Sequence, residues 1–141
     1  GAQQVKKAKS IVSQRIKIAS MYDKTLKNIP SIRLLEIPAY IKSSYYKYII
    51  FVNKNIKNKI KKMMYEKFKI SLPGEVYSHL CHSQPVFKKY KNRIIKKGDY
   101  SFKIAKKISS EQLCLPLYPG LKKSEIRYVV NSLKKTLKRL T

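Results

Sequence analysis

Between Gln112 and Arg127 the chain reads QLCLPLYPGLKKSEIR, and this stretch restricts what the rest can fold into. Leu113-Cys114-Leu115 is an apolar run long enough for a brief buried strand. Pro116, Pro119 and Gly120 follow within five residues. Proline has a fixed φ and no N–H, so no regular element crosses such a stretch. Beyond Gly120 the period becomes helical: Ile126, Val129, Val130, Leu133, Leu137 and Leu140 fall on one stripe, with Lys and Arg on the other faces. The unit is a strand, a rigid turn and an amphipathic helix.

Upstream, residues 3–28 read as one long helix, because Val5, Ala8, Val12, Ile16, Ala19, Tyr22 and Leu26 recur at spacings of three and four. Pro30 ends it, since the residue before a proline is pushed out of the helical region. Residues 32–42 read as a short extended piece and a loop. Residues 44–53, SYYKYIIFVN, form the strongest strand pattern, and the continuous apolar run Ile49 to Val52 predicts cover on both faces. Tyr45, Tyr46 and Tyr48 around Lys47 suit RNA stacking, but an ordinary strand uses the same residues for packing, and packing is the favoured reading.

Asn53 and Asn55 are helix starters. Ile56, Ile60, Met63, Met64 and Phe68 then define a helix to about residue 69 whose outer face is nearly all lysine. Pro73 and Gly74 make residues 70–77 a broken or edge strand. Residues 79–90 are irregular, and 88–97 form a basic loop. Asp99 or Ser101 caps a short helix carrying Phe102, Ala105 and Ile108. Strands interspersed with helices predict an α/β two-layer sandwich: a small, mostly antiparallel sheet with helices on one face.

The 141 residues suffice for one domain with a real core, and 43% of them are hydrophobic. No apolar run reaches the length of a membrane span, and the expected compartment is the cytoplasm. The 33 basic residues outnumber the 7 acidic ones, for a net charge of +26. Two readings of that charge stand side by side. One is compositional, because Lys, Ile, Asn and Tyr are jointly abundant, as in an AT-rich coding sequence. The other is a surface selected for polyanions such as nucleic acid. Cys81 and Cys114 form no C-x-x-C motif and read as buried reduced thiols. His79, Cys81, His82 and Cys114 lack zinc-ligand spacing, so no metal site is expected.

Three collinear segments carry a family resemblance. LCLPLYPGL, followed by a helix with Tyr128-Val129-Val130, resembles the C-terminal end of the DegT/DnrJ/EryC1/StrS family of pyridoxal-phosphate (PLP) dependent sugar aminotransferases. Gly74-Glu75-Val76-Tyr77 and His82-Ser83-Gln84-Pro85-Val86-Phe87 are similar to that family's H-L-Q-P-x-F segment, with Ser83 in place of Leu. Gly1 to Tyr22 is similar to its long helix. The resemblance implies a connector helix over residues 1–29 and the small C-terminal domain of a fold-type I PLP enzyme over 30–141. It further implies that the N-terminal PLP-binding large domain is absent from these residues, that the whole enzyme is a homodimer, and that its substrates are nucleotide-linked keto-sugars.

Transamination needs a Schiff-base lysine, an acid beneath the pyridine nitrogen and phosphate donors. The family holds these mainly in its large domain, so the resemblance implies no catalytic residue here, no cofactor bound by this chain alone, and inactivity without the large domain. Tyr77, His82 and Gln84 are the candidate substrate-binding residues. Tyr77 would hydrogen-bond substrate; His82 would either bond substrate or tie the loop to nearby backbone. Where the family prefers a capping Thr and acidic residues at the last helix start, this chain has Lys122 and Lys123. Positive charge there opposes the helix dipole, so that helix should start less firmly, with Ser124 as a cap one turn late. The rival function is a basic, non-enzymatic nucleic-acid-binding module, holding phosphates through the helix at 55–69, the loop at 88–97 and Lys134 to Arg139.

Overall fold

Three short strands pair antiparallel in the order β1-β2-β3: β1 (Arg33–Leu34), β2 (Tyr48–Phe51) and β3 (Gln112–Leu115). The computed structural model describes residues 1–72, 74, 79–90 and 102–140. Its helices are α1 (Ala2–Leu26), α2 (Lys54–Phe68), α3 (Pro85–Lys89), α4 (Lys103–Glu111) and α5 (Lys123–Leu140), with a 3₁₀ turn at Cys81–Ser83. The register sets Tyr48 opposite Leu115 and Ile50 opposite Leu113. Because side chains alternate along a strand, these four share one face, and all four belong to the core. Ile60 and Met64 of α2, Leu133 and Leu137 of α5, and Tyr22 and Leu26 of α1 are among the residues that pack with them. The other sheet face holds Phe51, Gln112 and Cys114, each also buried, so the central strand is covered on both sides as its apolar run predicts.

The Pro–Gly segment is the corner of the fold. Leu121 N–H donates to Tyr118 O, and Gly120 between them has φ 90°. Proline at the second position and a left-handed glycine at the third make this a type II turn. The Tyr22 hydroxyl donates to Pro116 O at 2.9 Å, tying α1 to the same segment. α5 then starts without delay. The Glu125 carboxylate accepts the Lys122 N–H at 2.7 Å, half of a capping box. It sits against the positive end of the helix dipole, offsetting Lys122 and Lys123. The expected late start at Ser124 is therefore corrected: Ser124 lies inside the helix.

Other local expectations shift for physical reasons. β2 begins only at Tyr48, because Tyr45 takes φ 45° and turns the chain out of the strand region. Tyr48 is buried against Tyr22, with ring centroids 4.8 Å apart, while Tyr46 is 70% exposed. Asn53 is the cap of α2, its side chain accepting from Asn55 N–H. The lysine face of α2 has one exception: Lys57 is buried, its ammonium donating to Ser109 O of α4 at 2.9 Å. Lys69 closes α2 in the left-handed region, and Ile70 N–H returns to Met64 O. Among the described residues of 70–77, namely 70–72 and 74, there is no strand. Residues 79–90 are more regular than expected, with the 3₁₀ turn and α3. Cys81 is exposed, not buried, since the 3₁₀ turn carries it outward, whereas Cys114 is buried as expected and forms no disulfide. The basic loop beyond Tyr90 and the proposed caps Asp99 and Ser101 lie outside the described residues.

Candidate functional site

The segment carrying His82 and Gln84 is built from two small turns. Ser83 N–H and its hydroxyl both donate to Leu80 O, at 2.9 and 2.7 Å. The Ser83 side chain is exposed, so a polar residue in place of the family's leucine leaves no unpaired group in the interior. Gln84 N–H donates to Cys81 O at 3.1 Å, and Gln84 is the N-cap of α3 without a side-chain capping bond. Pro85 stands at the first helical position, where its fixed φ fits and its missing N–H costs nothing. Gln84 therefore has its backbone committed and its amide outside the cap.

His82 is positioned by stacking. Its ring lies on Phe102 with centroids 4.0 Å apart and planes 10° from parallel. Nε2 is shielded from solvent and has no hydrogen-bond partner among the described residues. A buried imidazole nitrogen without a partner costs free energy, on the order of 1–3 kcal/mol, unless something bonds it. Phe102 itself sits at φ 50°, in the left-handed region that a bulky residue rarely adopts, just before α4. That conformation turns the chain into the helix with the Phe102 ring on His82. The helical pattern assigned Phe102 to the inner stripe of α4; the structure makes it the N-cap and the platform for His82. The signal that could have found this is weak, because 20 residues separate the two rings in sequence. Tyr77 lies outside the described residues. The structure thus brings His82 and Gln84 into one turn-and-helix unit, with Phe102 as an unforeseen member.

A cradle for PLP can be sought among the lysines. Among the described residues Lys57 is the only buried one, and its ammonium is bonded to a carbonyl in the seam between α2 and α4. The lysines of α1 and α5 are exposed. Among the described residues there is also no group of three or more His, Cys, Asp or Glu able to hold a metal, and no helix long and apolar enough to cross a membrane.

Comparison with known proteins places this geometry. An uncharacterized protein of Methanocaldococcus jannaschii is 27% identical over 136 residues, which is 96% of this chain and 34% of that protein. The aminotransferase TlmJ from Streptoalloteichus hindustanus superimposes with a TM-score of 0.82 at 25% identity, over 99% of this chain and 35% of its own. PseC of Helicobacter pylori, an aminotransferase involved in the biosynthesis of pseudoaminic acid, gives 0.80 at 22% identity over 99% of this chain and 36% of its own. NtdA from Bacillus subtilis, solved with bound cofactor PMP, gives 0.75 at 22% over 91% of this chain and 28% of its own. The fold is thus one that aminotransferases carry in about a third of their length. The profile of the DegT/DnrJ/EryC1/StrS aminotransferase family matches residues 1–134, and the chain belongs to that family. It spans about a third of the length of the relatives it matches.

Proposed function

We propose that residues 30–141 are the small C-terminal domain, and residues 1–29 the connector helix, of a PLP-dependent aminotransferase acting on nucleotide-linked keto-sugars in the cytoplasm. The observation that carries this reading beyond family membership is the state of α1. Its C-terminal third is core: Ile18, Ala19, Tyr22 and Leu26 are buried. Its N-terminal half keeps the same apolar stripe, but none of it is fully buried: Val12 and Ile16 are half-buried and Val5 and Ala8 exposed. Val5 is 73% exposed, and Ala8, Val12 and Ile16 line an open groove of about 600 Å³ together with the stems of Lys9, Lys17 and Lys42. A stripe left partly open over several turns is what a helix shows when its cover lies elsewhere. The proposed cover is the PLP-binding large domain, in the same or a separate chain, assembled as the family's homodimer.

In this reading the Schiff-base lysine, the acid under the ring nitrogen and the phosphate donors belong to the large domain. This chain supplies the wall. His82, held flat by Phe102, is one hydrogen-bonding group for substrate; the Gln84 amide is the second, and Tyr77 the third. Nε2 is shielded in this arrangement, so the ring must turn before a ligand atom completes its hydrogen bonding.

Immunoblotting of source cells, with mass spectrometry of the band, tests the proposal. The expected product is either a longer chain containing these peptides beside a large domain, or a 16.5 kDa chain that co-purifies with a PLP-containing polypeptide. A 16.5 kDa chain with no such companion refutes it. The rival nucleic-acid module would draw on the described lysines, which are spread over α1, α2, α4 and α5.

A further inference from the structure

On a different part of the molecule, basic side chains from three separate segments converge on one concavity. A cleft of about 830 Å³ is walled by Arg33 of β1, Phe51 of β2, Lys54 at the start of α2, and Lys106, Lys107 and Glu111 of α4. It shares no lining residue with the His82 segment. Cross-strand pairing sets Arg33 opposite Phe51. The guanidinium consequently lies over the Phe51 ring, 4.0 Å from its centroid, and reaches Glu111 Oε2 at 3.4 Å. Arg33 is thus held on one face and at one edge, while its side chain stays 60% exposed. An arginine oriented in this way offers its remaining donors in a fixed fork.

The charge of the cleft is unbalanced. Arg33, Lys54, Lys106 and Lys107 face it, and Glu111 is its one carboxylate among the described residues. Lys54, Lys106 and Lys107 have no ion-pair partner among the described residues. α2 begins on the rim with no acidic residue in its first turn, so its positive dipole end adds to the field instead of being offset. Concave walls concentrate such a field. The opening is within the size range of small-molecule sites, and four cations line this one hollow. These features suit a compact polyanion more than an extended strand.

We propose that this cleft binds a pyrophosphate-bearing ligand, with Arg33 as the fork and Lys54, Lys106 and Lys107 as the surrounding point charges. The site stands independently of the aminotransferase reading. Calorimetry on the 141-residue protein, with inorganic pyrophosphate and with ADP, tests it. Saturable binding at one site is expected, weakened at least ~tenfold in K106A/K107A, as loss of even one hydrogen bond to a charged group implies. Both lysines are exposed, so circular dichroism should show the fold intact. A charge-matched K134A/K135A variant on α5 should bind within about twofold of wild type, because α5 does not line the cleft. Glu111→Gln removes the one carboxylate and should tighten binding. Equal affinities for the two probes assign the site to the phosphate chain; tighter ADP assigns it to a nucleoside diphosphate. No saturable binding, or equal losses in the two double variants, would overturn the proposal and leave only general attraction to a +26 chain.

Discussion

Tyr48→Phe isolates a single buried contact on which α1 and the sheet depend. The Tyr48 hydroxyl donates to Asp23 Oδ1 at 2.6 Å, its ring is 3% exposed, and Tyr22 packs on it. Phenylalanine keeps the ring and the packing, so what is lost is one short hydrogen bond to a carboxylate. Such bonds contribute roughly 1.5–3 kcal/mol. Asp23 is only half-buried, and water replaces part of what the carboxylate loses, which places the cost at about 1–2 kcal/mol. For a chain of this size that is a fall in Tm of about 3–7 °C. Urea unfolding with an unchanged m-value measures it, and Tyr46→Phe, at an exposed position of the same segment, is the control.

The same contact fixes a pH dependence. Burial first, and then the hydrogen bond and charge of Asp23, push the Tyr48 phenol well above its ordinary value. Burial pushes Tyr22 up as well, with a smaller contribution from Tyr118. Both groups are acids whose folded pKa exceeds the unfolded one near about 10. Their stabilising effect is whole below that pH and is lost as pH rises through the folded value. Each contributes a slope of up to about 1.4 kcal/mol per pH unit above pH ~10. The variant should lose stability less steeply there than the wild type. Equal stability to within about 0.3 kcal/mol, together with an unchanged alkaline slope, would refute the assignment of Tyr48 to this bond.

Two further outcomes follow from local geometry. Glu125→Ala should cost about 0.5–1.5 kcal/mol in urea unfolding, since it removes both the bond to Lys122 N–H and the negative charge at the start of α5; Glu125→Gln should recover part of the loss. In a thiol titration of the native protein Cys81 should react at once and Cys114, 4% exposed, only after denaturation; reaction of both thiols without denaturant would contradict the described burial.

Much of the fold was legible in residue order because it rests on local pattern. The strand at Leu113 to Leu115, the corner at Pro119-Gly120 and the stripe of α5 depend on φ limits and on periodicity, and both act within a few residues. The same holds for Asn53 as the cap of α2. Family membership was legible in the three motifs for the same reason, since each is a contiguous segment. The candidate site was legible only in part. His82 and Gln84 stand in one of those motifs, but their surroundings come from afar.

What the tertiary structure decided is everything that joins distant segments. That Phe102 leaves its helical stripe to stack on His82, that Lys57 buries its ammonium on Ser109, and that Arg33, Lys54 and Lys106 share one cleft follow from how the sheet and helices pack. So does the contrast along α1, whose apolar stripe is uniform in sequence yet buried only from Ile18 onward. Periodicity determines which face of a helix avoids water. Whether another element covers that face depends on contacts between segments far apart in the chain, and no local pattern encodes those.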